Sequence, residues 1–381
     1  MLKNKIYKYF TIEIIKTFFT ILFALSAIAW TVRAVSFLDL VVENGHSIIT
    51  YLLFSFLNVT NIITKFIPLS FLLALILTIL KFEKQNELVI LWTTGLNKIK
   101  LANLFFLVSL IVLIIQLAFA VYITPNSLYK SRSLIRTSNF DSMSTIIKIN
   151  DFSSSFKDLT FYVAKKNSNG EMENIFIRDE SNTFKNLLSS SEEPKNTTII
   201  ARKGIINNKQ LILIDGLIQV QNSQGKIDNL NFKKTDFAID LLRPKTIIKP
   251  KLQETFTSSL INCLSMSQNQ IERKKIVNCP KTNIDKDIIS TLLRRIGMPI
   301  YIPLISLICS FLLISNKEKK FNYLNKYIYG ALGFFILVLA EILVRYSGFS
   351  QMHSLFYLLS PLILIPLVYL VLIRKLGMEN K

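Results

Sequence analysis

Long apolar blocks, interrupted by one long polar stretch, limit what this chain can fold into more than any other feature. Phe18 to Trp30 contains only apolar or small residues, and Leu101 to Ile123 is broken only by Asn103, Ser109 and Gln116. A soluble domain holding such blocks would need an improbably large core. A bilayer accepts them directly, because roughly 17–25 apolar residues at 1.5 Å rise span its hydrocarbon. Stretches of that length fall at about 15–37, 51–80, 101–123, 296–315, 327–346 and 355–373. The second is too long for one upright span. Asn58, Asn61 and Lys65 place its start in the interface, and Pro68 is expected to loosen or kink it. The first exceeds the roughly 7–15 apolar residues of a signal peptide and lacks a small-x-small cleavage site after it, so an uncleaved helix is expected.

Charge supplies the orientation. The 381 residues carry 45 Lys+Arg against 25 Asp+Glu, a net +20 that alone would suit nucleic acid or an anionic membrane. Lys3, Lys5, Lys8 and Lys16 precede the first block; Lys81, Lys84, Lys98 and Lys100 separate the second and third. Lys317, Lys319, Lys320 and Lys326 separate the fourth and fifth, and Arg374, Lys375 and Lys381 follow the sixth. The connections at about 38–50 and 347–354 contain no Lys or Arg. Short Lys/Arg-rich loops stay cytoplasmic, so both termini are expected inside and the polar middle outside. These cations mark orientation rather than nucleic acid. Away from the middle segment (124–295), only Arg33, Lys65 and Arg345 remain, all at or near membrane depth.

The polar middle changes period. Leu159–Ala164 and Asn174–Ile177 are β-rich and flank the turn Asn167-Ser-Asn-Gly170; Thr197–Ala201 follows, then a turn at Asn207-Asn208. Asp215-Gly216 separates Gln210–Ile214 from Leu217–Val220, and Asn222-Ser-Gln-Gly225 precedes Leu230–Phe232 and Phe237–Ile239. Short strands with Gly/Asn turns predict an antiparallel sandwich or open jelly roll. A short helix is expected near Phe256–Leu264. Cys263 and Cys279 are a candidate disulfide in an oxidising compartment, with two unpaired thiols the alternative.

The chemistry of an enzyme is missing. There is no phosphate-binding Gly-x-x-x-x-Gly-Lys-Ser/Thr loop, no Gly-x-Ser-x-Gly elbow, and His46 and His353 belong to no metal-spaced cluster. No catalytic residue, cofactor or metal is therefore expected in this chain.

Two constellations stand out. The inner loop Lys81–Lys100 contains Glu87, the apolar run Leu88–Trp92 and Gly95, which can close a short helix in the left-handed conformation. Such a helix either docks a cytoplasmic partner or lies on the bilayer. The second is the charge at membrane depth, which is costly and faces a cavity or another charge. Glu341 and Arg345 stand four apart and can pair on one helix face. Arg33 can snorkel to headgroups, and Lys65 lies a turn before Pro68. Together, three cations suit a ligand that carries phosphate.

In order and topology the chain resembles the LptF/LptG (YjgP/YjgQ) permeases of lipopolysaccharide export. The resemblance rests on Phe37-Leu-Asp-Leu-Val-Val-Glu-Asn-Gly45, on Phe66-Ile-Pro-Leu-Ser70, and on Asn86-Glu-Leu-Val-Ile-Leu-Trp-Thr-Thr-Gly-Leu96. The last is similar to that family's coupling segment, with Asn86 where serine is usual. The first piece and the hairpin from Tyr162 to Asp179 look more LptF-like than LptG-like. The resemblance implies a six-helix (3+3) α-helical membrane protein of the bacterial inner membrane with an inserted periplasmic all-β, jelly-roll-like domain. Helices one to three would occupy 1–123, with the coupling helix at about 84–96. The β domain would occupy 124–245, a connecting segment 246–294, and helices four to six 295–381. It implies an LptB-like ATPase dimer that binds the ATP, an LptG-like second permease, LptC-like and LptA-like bridge proteins, and lipopolysaccharide as cargo. Glu87, Leu88, Trp92 and Gly95 would meet the ATPase; Arg33, Lys65, Arg345 and Glu341 would line the lipid site. A receptor with a β ligand reader would need a cytoplasmic output domain, and no inner segment is long enough to fold as one. A secondary transporter would show inverted repeats, which the halves lack.

Overall fold

The computed structural model describes residues 2–42, 47–138, 149–156, 159–167, 171–180, 194–207, 210–222, 227–238, 251–265, 285–314 and 319–379. Its helices are α1 (Leu2–Phe37), α2 (Asp39–Val42), α3 (Ile48–Lys84), α4 (Glu87–Thr93) and α5 (Lys98–Ala118), followed by α6 (Thr124–Ser138), α7 (Thr257–Ser265), α8 (Asp285–Ser310), α9 (Lys319–Tyr346) and α10 (Gln351–Glu379). Six segments among the described residues are long and apolar enough to cross a membrane: Lys5–Val41, Ile48–Lys84, Lys98–Ile135, Lys286–Leu313, Tyr327–Tyr346 and Gln351–Gly377. The chain divides into two units. One contains Met1–Val32, Leu57–Lys130 and Lys251–Lys381; the other contains Arg33–Phe56 and Ser131–Pro250.

In the first unit α8 is the central helix. Residues Tyr301 to Leu313 are buried without a break, so this helix shows no amphipathic stripe, as a helix surrounded by other helices should. Pro299 and Pro303 lie within it. Gly297 lets the Tyr357 ring approach to where a side chain would collide, since a Cβ there would sit 2.4 Å from Tyr357 Cε1. The Tyr301 hydroxyl donates to the Tyr357 carbonyl (3.0 Å) and lies 2.9 Å from Ser360 Oγ. These contacts fasten α8 to α10.

Polar residues fasten α3 to the third span. Gln116 Nε2 donates to the Thr64 carbonyl (3.0 Å), Thr64 and Thr124 hydroxyls lie 2.7 Å apart, and Ser127 Oγ donates to the Leu57 carbonyl (2.9 Å). Hydroxyl and amide groups are a common adhesive between helices in lipid. The third span outruns its expected end at 123: a π turn, Phe119–Ile123, carries the helix into α6. Thr124-Pro125-Asn126 looks like a break, yet the π turn absorbs it. α3 likewise stays helical through Pro68.

The second unit holds the β domain. β1 (Ser153–Phe156), β2 (Leu159–Lys166), β3 (Glu171–Asp179), β4 (Pro194–Asn207), β5 (Gln210–Asn222) and β6 (Ile227–Ala238) form one antiparallel sheet in chain order. The inserted all-β domain is as expected. Among the described strands there is one meander sheet and no second layer, so the jelly-roll detail is not seen in them. Leu159, Phe161 and Val163 of β2 oppose Asp179, Ile177 and Ile175 of β3, which oppose Thr197, Ile199 and Ala201 of β4. All nine are buried. Past Asn174 the buried positions switch to Met172, Gly204 and Leu213, which also stand opposite one another. Asn174 (φ 50°) and Asp215 (φ 51°) are left-handed within their strands, which Asn and Asp tolerate better than other side chains. Asp215-Gly216 therefore lies within β5 rather than ending it, because β4 and β6 pair with it on both sides. The turns expected at 168–170, 208 and 223–225 lie outside the described residues, as do His46 and Lys317.

The connecting segment contains α7, close to the helix expected at Phe256–Leu264. Cys263 is buried against Leu260 and Ile288 and is disulfide-bonded; Cys279 lies outside the described residues. Cys309 is a free, fully buried thiol in α8.

Candidate functional site

The inner loop folds as a fixed element. Asn86 (φ 58°) adopts the left-handed conformation between α3 and α4, a conformation an Asn accepts more readily than most residues. At the other end Gly95 (φ 79°) closes α4. Its N–H donates to the Trp92 carbonyl, and the Leu96 N–H donates to that of Leu91, both at 3.1 Å, which is the Schellman pattern. Asn97 Oδ1 then accepts from the Ile99 N–H (2.9 Å) and starts α5.

Leu88, Leu91 and Leu96 enter the same core cluster as Phe10, Phe82 and Leu101. Val89 and Ile90 are exposed (54% and 59%), leaving an apolar strip on a helix already anchored from behind. Trp92 is half-buried, with Lys98 Nζ 5.5 Å from its ring centre. Glu87 faces inward as well as outward: its Oε1 lies 3.4 Å from the Tyr9 hydroxyl. Beside it Lys81 pairs with Glu13, and the Phe10 and Phe82 rings pack at 4.3 Å. The start of α1 thus braces the α3–α4 corner.

The charges at membrane depth are arranged differently from the sequence expectation. Arg33 is exposed on α1 and falls in the second unit. Lys65 is exposed on α3 and Arg345 on α9. Glu341 does not pair with Arg345 along its own helix. Its Oε1 accepts from Arg294 Nη2 of α8 at 2.6 Å. An arginine reaching from a neighbouring helix offers the carboxylate a shorter, charge-assisted bond.

Arg294 and its neighbour Arg295 were missed because both sit before the expected fourth block. The helical spacing of Ile288, Leu292 and Leu293 would have revealed that α8 starts earlier. Arg295 is buried (6% exposed). Its Nη1 donates to Thr257 Oγ1 (2.7 Å), and its Nη2 donates to the carbonyls of Leu252 (3.2 Å), Gln253 (3.2 Å) and Thr255 (3.0 Å). The Thr257 hydroxyl in turn donates a hydrogen bond to the Val121 carbonyl in the π turn (2.8 Å). One guanidinium therefore ties α8 to the connecting segment and, through Thr257, to the third span. Among the described residues, no group of three His, Cys, Asp or Glu could hold a metal.

Comparison with known proteins agrees with this architecture. The chain is 23% identical over 229 residues to an uncharacterized protein of Rickettsia prowazekii (strain Madrid E), covering 59% of this chain and 61% of that one. The match thus spans less than two thirds of that relative's length. A family model described as "Lipopolysaccharide export system permease LptF/LptG" matches residues 8–375, nearly from end to end. With six apolar helices and an inserted β domain, the chain belongs to the LptF/LptG family of inner-membrane, multi-pass permeases.

Proposed function

We propose that this chain is a non-catalytic permease subunit of an ATP-driven exporter that lifts lipopolysaccharide out of the inner membrane. The observation that carries the reading is α4, a short helix anchored by Leu88 and Leu91 yet presenting Val89 and Ile90 to solvent, in a chain of this family. An LptB-like ATPase dimer docks on Glu87, Trp92 and the Val89–Ile90 strip and binds the ATP; this chain supplies the lever. Closure of the ATPase pushes α4, and α1 and α3 move with it because Tyr9, Glu13 and Phe10 grip the same corner. The Lys/Arg-rich connections face the cytoplasm, with both termini, and the β domain faces the periplasm. A second, LptG-like permease completes the lipid cavity, and LptC-like and LptA-like proteins extend the β domain toward the outer membrane. Arg33, Lys65 and Arg345 meet the phosphorylated part of the lipid, and Cys279 partners Cys263.

The test is Glu87→Arg in the co-expressed complex. A reversed charge at a docking contact costs about 2–5 kcal/mol, so co-purified ATPase should fall more than tenfold while the amount of permease in the membrane stays the same. Full co-purification with full transport by Glu87→Arg would refute the docking assignment.

A further inference from the structure

Two carboxylates stand at the corner where α1, α3 and α4 meet, and they are partnered differently. Glu13 of α1 pairs with Lys81 of α3, so its charge is balanced on the spot. Glu87 makes no ion pair among the described residues. The one side-chain bond it makes among them comes from a neutral group: the Tyr9 hydroxyl donates to its Oε1 at 3.4 Å. Tyr9 is itself held from behind. Its ring lies 5.9 Å from those of Phe10 and Phe82, both of them buried in the cluster that also receives Leu88 and Leu91. A donor fixed by the packing of α1 therefore holds a carboxylate at the start of α4.

We propose that Tyr9 is a positioning residue, whose hydroxyl holds the Glu87 carboxylate in the conformation that a basic side chain of the docking ATPase recognises. A glutamate is rich in rotamers, and ordering such a side chain on association costs about 0.5–1.5 kcal/mol. Tyr9 imposes that order before the partner arrives. A phenol suits the task because it donates a hydrogen bond while staying neutral at physiological pH. It leaves the negative charge of Glu87 intact for the partner, whereas a lysine in its place would compete with the incoming cation. Glu13, already neutralised by Lys81, is a brace; Glu87, oriented but not neutralised, is left to recognise. The proposal rests on the docking reading of Glu87 and adds to it the residue that prepares the contact.

A double-mutant cycle tests it, with the full chain and its second permease in nanodiscs titrated with the purified ATPase subunit. Tyr9→Phe keeps the ring and removes the donor, and it should weaken ATPase binding about fivefold. In a Glu87→Ala background the same change should weaken binding no further, since no carboxylate remains to be held. The melting temperature of each variant is measured alongside, and Tyr9→Phe should melt with the wild type. Unchanged affinity in Tyr9→Phe would overturn the proposal. So would an equal fall in both backgrounds, which would make Tyr9 a direct contact or a general brace of the corner. Either result leaves the docking assignment standing so long as Glu87→Ala by itself weakens binding. Wild-type affinity in Glu87→Ala would remove that assignment, and this proposal with it.

Discussion

Replacing Arg295 by Met is expected to destabilise the purified permease by about 3–5 kcal/mol, because several hydrogen bonds from one charged donor, each worth about 1.5–3 kcal/mol, are lost together. The carbonyls of Leu252, Gln253 and Thr255 would each lose a charged donor, and Thr257 would lose the group that orients its hydroxyl toward Val121. The Thr255 carbonyl and the Thr257 hydroxyl are buried, so they cannot turn to bulk water while the segment stays packed. Arg295→Lys should recover only part of the loss, because one ammonium cannot reproduce a planar fork across four acceptors. Thermal unfolding in detergent is the measurement. Arg295→Met melting with the wild type would mean that the connecting segment is held by its apolar contacts alone.

The next largest effect is expected at Gly348. It follows α9 in the short turn before α10, and a Cβ there would sit 2.1 Å from the Lys286 carbonyl oxygen and 2.8 Å from its carbon. These are backbone atoms of the first turn of α8, which cannot swing aside as a side-chain tip can. Gly348→Ala should therefore cost about 2–3 kcal/mol, the upper range for overpacking, and Gly348→Val more. Gly377 in α10 is the control, because a Cβ there meets nothing within 4 Å. Gly377→Ala should be neutral, or stabilising by about 0.5–1 kcal/mol through helix propensity. Equal melting temperatures for the Gly348 and Gly377 variants would show that the turn moves freely away from α8.

What the sequence makes legible follows from how local each signal is. Apolar length is local, so the six spans and their number are plain from blocks such as Leu101–Ile123. Strand composition is local too, and Leu159–Ala164 and Thr197–Ala201 fall within β2 and β4. Asp215-Gly216 misleads because its turn chemistry is local while the pairing that overrides it comes from two neighbouring strands. The end of the third apolar block at Ile123 misleads as well, since the π turn Phe119–Ile123 leads straight into α6 and the helix outlasts the apolar run. The inner loop is legible because Glu87, Leu88 and Gly95 carry the start, face and stop of α4 within nine residues. The charged site is only half legible. Arg345 announces itself inside an apolar run, but the partner of Glu341 lies on another helix, 47 residues away in sequence. The i,i+4 rule names Arg345 as a possible partner, and tertiary geometry selects Arg294.

The order of the strands carries a consequence for biosynthesis. Each strand from β2 to β6 pairs with the one made just before it, so no pairing waits for chain that has yet to leave the ribosome. Topologies of this kind close short loops in succession and fold quickly. The sheet can zip hairpin by hairpin while α8, α9 and α10 are still unsynthesised, and the second half of the membrane bundle is then made after that domain has formed. A pulse-labelled chain truncated after Pro250 should accordingly resist protease across β2 to β6.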